Sequence, residues 1–113
     1  MNTPFLVAEL NKLGLQASIE TKVPGFLLSG FEVQVGPHRG DVIDVAVAID
    51  FPLTPPVGIH ARAEYGTVGS NNISASTQMG DGWRYFSRRY EAWTASCTAR
   101  DVLSYINRVL LDV

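Results

Sequence analysis

The sequence predicts an α+β fold, a two-layer sandwich with helices on one face of an antiparallel sheet. Three observations predict it. Apolar residues recur at helical spacing near both ends, at Leu6, Leu10 and Leu13 and again at Val102, Ile106, Val109 and Val113. Between them, apolar and polar residues alternate with the period of a half-buried strand. Two of the alternating runs are joined by Asp50-Phe51-Pro52-Leu53-Thr54-Pro55-Pro56-Val57-Gly58-Ile59. Pro52, Pro55 and Pro56 each fix φ and lack a backbone donor, which rules out helix there. The residue before each proline is driven to extended geometry, so a stiff, extended joint between strands is expected.

At 113 residues the chain is read as one domain, 1–113, able to bury a single core. Apolar residues make up 46% and charged residues 18%, which argues against disorder. A net charge of -2 gives no general pull towards nucleic acid or anionic lipid. No apolar run approaches the roughly 18 residues that a bilayer span requires. Met1-Asn2-Thr3-Pro4 lacks a secretory layout, so a cytoplasmic location is expected. Cys97, the single cysteine, allows no internal disulfide, redox pair or zinc cluster, and neither a metal nor a cofactor is expected.

Thr3 followed by Pro4 is a helix start, and Gly14 is a stop, which predicts a helix over about residues 4–13. Phe31, Val33 and Val35 alternate with Glu32 and Gln34, and a possible earlier strand lies at 16–21 or 25–28. Gly36-Pro37-His38-Arg39-Gly40 reads as a turn. Beyond it Val45, Val47, Ile49 and Phe51 share one face while Asp44, Ala46, Ala48 and Asp50 share the other, completing a hairpin. After the joint, Val57, Ile59, Ala61, Ala63 and Tyr65 alternate with His60, Arg62 and Glu64. The result is a meander of three or four strands with one wet face. On that face His60 is expected to be solvated; His38 is a turn residue.

Residues 66–82 are rich in glycine, serine, asparagine and threonine, and are expected to form a long loop. Five of the eleven aromatic residues then fall within Trp83-Arg84-Tyr85-Phe86-Ser87-Arg88-Arg89-Tyr90-Glu91-Ala92-Trp93. Most of these rings should pack against the sheet and the last helix. Binding of single-stranded nucleic acid by stacking is disfavoured, because the patch is small and the rest of the chain acidic. Thr98 and Asp101 have capping-box spacing and start the final helix. Along that helix Leu103 and Leu110 widen the apolar stripe.

Taken together, Phe51-Pro52-Leu53-Thr54-Pro55-Pro56-Val57 and the later Trp93, Thr98, Val102-Leu103-Ser104-Tyr105-Ile106 and Leu110-Leu111 resemble the ubiquitin-conjugating enzyme (UBC-like) superfamily. Gly36-Pro37 and Gly40 sit where that family's hairpin turn has glycine and proline. The segment from Trp83 to Trp93 is similar to small bacterial members of the superfamily. The resemblance spans residues 3–113 and implies an N-terminal helix, a four-stranded meander with a proline-rich joint after its third strand, a long loop and a helix introduced by tryptophan.

Catalytically competent members carry a ubiquitin-like protein as a thioester, which needs a thiolate and an oxyanion donor. In the family the cysteine lies about eight residues before the tryptophan, which places Tyr85 at that position. A phenol forms no transferable thioester. The family's His-Pro-Asn oxyanion element is absent, leaving Asn71 and Asn72 as the candidate amides. The family's further C-terminal helices are also missing. These departures make the chain similar to catalytically dead variants that bind ubiquitin or partner subunits. The resemblance therefore implies a non-catalytic binding or scaffold subunit of a bacterial conjugation system. Its partners would be a ubiquitin-like protein, its activating enzyme, or both, with no nucleic acid and no membrane. The implied contact residues are Trp83, Arg84, Tyr85, Arg88, Arg89, Tyr90 and Trp93, with the exposed sheet face and residues 66–82. Two alternatives stand: an active carrier using Cys97, and an unrelated α+β interaction module. Cys97 is expected in the core as a small hydrophobe, although its place beside a helix N-terminus would favour a thiolate.

Overall fold

A computed structural model describes residues 2–113. It contains α1 (Thr3–Lys12), β1 (Ala17–Glu20), β2 (Gly25–Glu32), β3 (Val42–Ala48), β4 (Gly58–Ala61), β5 (Ile73–Ala75), β6 (Arg84–Ser87) and α2 (Ala99–Leu111). The strands form one sheet in the order β1-β2-β3-β4-β6-β5, and every neighbouring pair is antiparallel. An antiparallel meander is present as β1 to β4, but the strand expected at 31–35 is the end of β2, which starts at Gly25, and the one expected over 57–65 stops at Ala61. Two further strands lie beyond it, so the four-stranded expectation is corrected to six. Tyr85 and Phe86 have the ring side chains that suit a pleated surface. Their segment pairs with β4 instead of packing upon the sheet, and Ile73 anchors β5 beside it.

One face of the sheet carries the main core. Cross-strand partners Phe26 and Val47, Leu28 and Val45, Val45 and Ala61, and Ile59 and Phe86 build a continuous apolar surface. Leu6 and Leu10 of α1 and Val102, Ile106 and Leu110 of α2 pack in the same cluster, all fully buried. Gly25 admits no side chain, because a Cβ there would overlap the carbonyl of Val47 on β3.

The opposite face is not wet along its whole length. Residues 76–83 fold back over it, and Met79 and Trp83 cover Val23, Leu27, Ala46 and Ala48 in a second, smaller core. The short side chains of Ala46 and Ala48 leave room for that cover. Its ends are tied by Ser76 N–H to the Trp83 carbonyl at 3.1 Å and Gly80 N–H to the Ser76 carbonyl at 3.0 Å. The glycine- and serine-rich stretch is thus a folded flap that ends in strands, instead of one open loop.

Local signals read from sequence hold at most helix ends. Asp101 Oδ2 accepts the Thr98 N–H at 2.6 Å, the Asp101 half of the expected capping box. Gly14 takes φ +92° just past α1. Thr3 is displaced as the cap of α1 by Asn2, and its buried hydroxyl donates to the Ile49 carbonyl at 3.3 Å. The proline joint is less extended than expected. Thr54 N–H bonds the Asp50 carbonyl at 2.8 Å, closing residues 50–54 into a turn that seats Phe51 in the core and leaves Leu53 exposed. The Phe51–Pro52 peptide bond is cis.

Candidate functional site

Segment 83–93 begins in the sheet and ends beside α2, and its side chains separate into three groups. Trp83 belongs to the second core. Arg84 Nη1 donates to the carbonyls of Tyr65 at 2.9 Å and Gly66 at 2.7 Å, tying the start of the flap to β6. Trp93 Nε1 donates to the Pro52 carbonyl at 2.8 Å, and its ring meets Phe51 edge-on at a centroid distance of 6.1 Å. These three are committed to the fold.

Tyr85 stands opposite His60 on β4, with ring centroids 4.7 Å apart. Its hydroxyl donates to the Val57 carbonyl at 3.3 Å. The ring lies over Gly58, where a Cβ would come within 2.6 Å of Cζ. Asn71 and Asn72 take φ +50° and +57°, a left-handed turn that asparagine tolerates better than most residues. Asn71 Nδ2 is spent on the Asp112 carbonyl at 3.3 Å. Turn geometry accounts for both amides.

Arg88, Arg89 and Tyr90 form the third group. They face Ser104, Tyr105 and Arg108 of α2 across an open groove of about 370 Å³. Tyr90 and Tyr105 stack with centroids 5.4 Å apart, and the Tyr105 hydroxyl donates to the Arg88 carbonyl at 2.6 Å. Burial pushes the Tyr105 hydroxyl well above the usual phenol range, with Tyr85 adding to it and Arg88 opposing. Burial likewise raises Tyr90, helped by Cys97 and Asp101 and countered by Arg108. Arg88 is held by two bonds from Nη1, to the carbonyls of Asn71 and Ser87, both at 2.8 Å. Its other terminal nitrogen, Nη2, is buried with no hydrogen-bond partner among the described residues.

Cys97 is half-buried and lies outside the core cluster, against the core expectation. It sits in the turn before α2, where Sγ accepts the Thr94 N–H at 3.4 Å. A second cleft, about 270 Å³, places it with Phe5, Phe51, Pro52 and Thr98. The turn puts the thiol two residues ahead of the first residue of α2, which is why it misses that helix's apolar stripe.

Sequence reasoning missed one pair. His60 is 2% exposed and Ser76 3%, and His60 Nδ1 lies 2.7 Å from Ser76 Oγ. Ser76 Oγ also accepts the Met79 N–H at 3.1 Å. Burial lowers the His60 pKa. The expectation of a solvated histidine fails because the flap covers its face. Alternation placed His60 on the correct side, but no local signal reveals what packs there. His38 is likewise engaged, stacked on Tyr65 at 3.6 Å with Nε2 3.0 Å from the Val113 carbonyl. Tyr65 in turn donates to Asp41 at 2.7 Å.

Among the described residues no group of three or more His, Cys, Asp or Glu side chains is placed to hold a metal ion. No helix among them is long and apolar enough to cross a membrane. No protein-family model, curated protein or solved structure matches the chain.

Proposed function

We propose that this chain is a ubiquitin-conjugating-enzyme-like binding subunit that assembles with a ubiquitin-like protein or its activating enzyme without carrying the thioester itself. The carrying observation is the lock between the proline joint and the segment leading into α2, made by Trp93 Nε1 and the Pro52 carbonyl. The motifs that bear the resemblance, far apart in sequence, are thereby in contact. The succession of α1, β1 to β3, joint, β4 and, after two further strands, α2 supports the same reading. The absence of catalysis rests on Tyr85, a phenol packed over Gly58 at the family's nucleophile position. Phe5, 57% exposed and lining the second cleft, and Leu53, 67% exposed just after Pro52, offer apolar surface for a partner.

The test mixes the purified protein with the ubiquitin-like protein and activating enzyme encoded beside it, with ATP, and follows binding calorimetrically and adducts on a non-reducing gel. The expected result is a complex with no adduct. Failure to bind either protein overturns the proposal. A reductant-sensitive adduct that disappears in Cys97→Ala replaces it with the carrier reading. In that case the Cys97 thiolate would displace the activating enzyme's thiolate from the acyl carbon.

A further inference from the structure

Charge along the chain is unevenly divided. Residues 84–113 hold five basic and three acidic side chains, whereas residues 1–83 hold four basic and eight acidic ones. Three of those five basic side chains meet where segment 88–92 joins α2, Arg88 and Arg89 on one wall of the groove and Arg108 on the other. Glu91 and Asp112 line the same groove, yet neither forms an ion pair with any of the three arginines. Among the described residues no carboxylate lies within ion-pair distance of these guanidinium groups.

Arg88 adds an independent observation. Two backbone carbonyls fix its guanidinium through Nη1, so the group is held in place before any ligand arrives. Nη2 is left buried and unpaired, and a buried cationic donor without an acceptor is costly. A carboxylate in the groove that drew Nη2 out by a small side-chain shift would remove that cost and gain a charge-assisted bond. The Tyr90–Tyr105 stack gives the groove a rigid aromatic wall beside these charges. At about 370 Å³ the groove is several times larger than one small anion requires, and it is open along one side.

We propose that the groove between residues 88–92 and α2 is a docking site for an acidic peptide segment of a partner protein, with Arg88, Arg89 and Arg108 receiving its carboxylates. The site is independent of the conjugation reading, since it requires no ubiquitin-like protein and no thiol. Arg89 and Arg108 suit the task because a free planar fork meets a carboxylate through two parallel bonds. Contacts of this kind steer association and weaken as salt rises.

The test titrates the intact protein with a blocked peptide of alternating glutamate and aspartate, read by backbone amide chemical shifts. Saturable shifts confined to 88–92 and 104–112 are expected. Arg108→Glu, at an exposed position, should weaken binding by at least about tenfold, equivalent to about 1.4 kcal/mol, while Lys12→Glu on α1 leaves it unchanged. Amide spectra of both variants report whether the fold is kept. No saturable binding at millimolar peptide overturns the proposal, as does equal weakening by the two variants. Inorganic phosphate producing the same shifts and fully displacing the peptide at equal concentration also overturns it, leaving a simple anion site.

Discussion

His60 is the residue on which the second core turns. Its ring is the polar member of an otherwise apolar contact between sheet and flap, tied to Ser76 at 2.7 Å. Because burial lowers its pKa, the folded state favours the neutral ring. Over the window between the lowered folded value and an unfolded value near 6.5, the unfolded chain binds more protons. Stability therefore rises with pH through that window and is lost as pH falls below about 6.5. Urea unfolding at pH 7.5 and 5.5 should show this loss, and His60→Gln should flatten it. A slope unchanged in that variant would assign the effect elsewhere. Ser76→Ala leaves His60 Nδ1 and the Met79 N–H without their shared partner, with an expected cost of about 1–3 kcal/mol in the same assay.

Asn11 performs a comparable task on the surface. Its side chain donates to the Ala17 carbonyl at 3.1 Å and accepts the Ala17 N–H at 2.7 Å, imitating a neighbouring strand at the free edge of β1. Asn11→Ala should cost about 1 kcal/mol. It should also speed amide exchange at Ala17, while Phe86 exchange stays as slow as global unfolding dictates.

At the scale of the element, α2 is the best specified part of the chain. Its cap and the stripe of Val102, Ile106, Val109 and Leu110 follow from local chemistry, and the structure keeps them, while Val113 falls beyond the helix end. Asp101→Ala removes the acceptor of the Thr98 N–H, and thermal unfolding should report a loss of about 1 kcal/mol. The segment that leads into α2 depends on a distant partner instead. Trp93→Phe keeps an aromatic ring against Phe51 but deletes the bond to Pro52, so about 1 kcal/mol should be lost. Cys97, in the turn between Trp93 and α2, should then react faster with a chromogenic disulfide. Unchanged reactivity would mean that the turn holds its own shape through the Thr94–Cys97 contacts.

Across the whole molecule, the two cores differ in size and therefore in the free energy needed to open them. The main core joins both helices to one face of the sheet, whereas the second holds three buried residues and a few partners under a flap. Hydrogen exchange should show residues 76–83 opening at lower cost than β2 and β3. Met79→Ala should widen that gap, and equal protection of flap and sheet would show that they unfold as one unit. Phe86→Ala, in the centre of the main core, should cost about 3–5 kcal/mol globally.

The sequence by itself determined both helices, the α2 cap, the hairpin turn at 36–40 and which residues of β3 and β4 share a face. Each depends on contacts within a few positions of the chain, where spacing and side-chain type carry the information. Tertiary structure alone decided that Tyr85 and Phe86 form a sheet strand, that the flap buries His60, and that Cys97 lies beside a cleft. It also divided the arginines of 83–93, Arg84 and Arg88 tied to carbonyls and Arg88 and Arg89 lining a groove. Those outcomes depend on which distant segment covers a given face. Strand periodicity separates two faces but does not name what packs on either one.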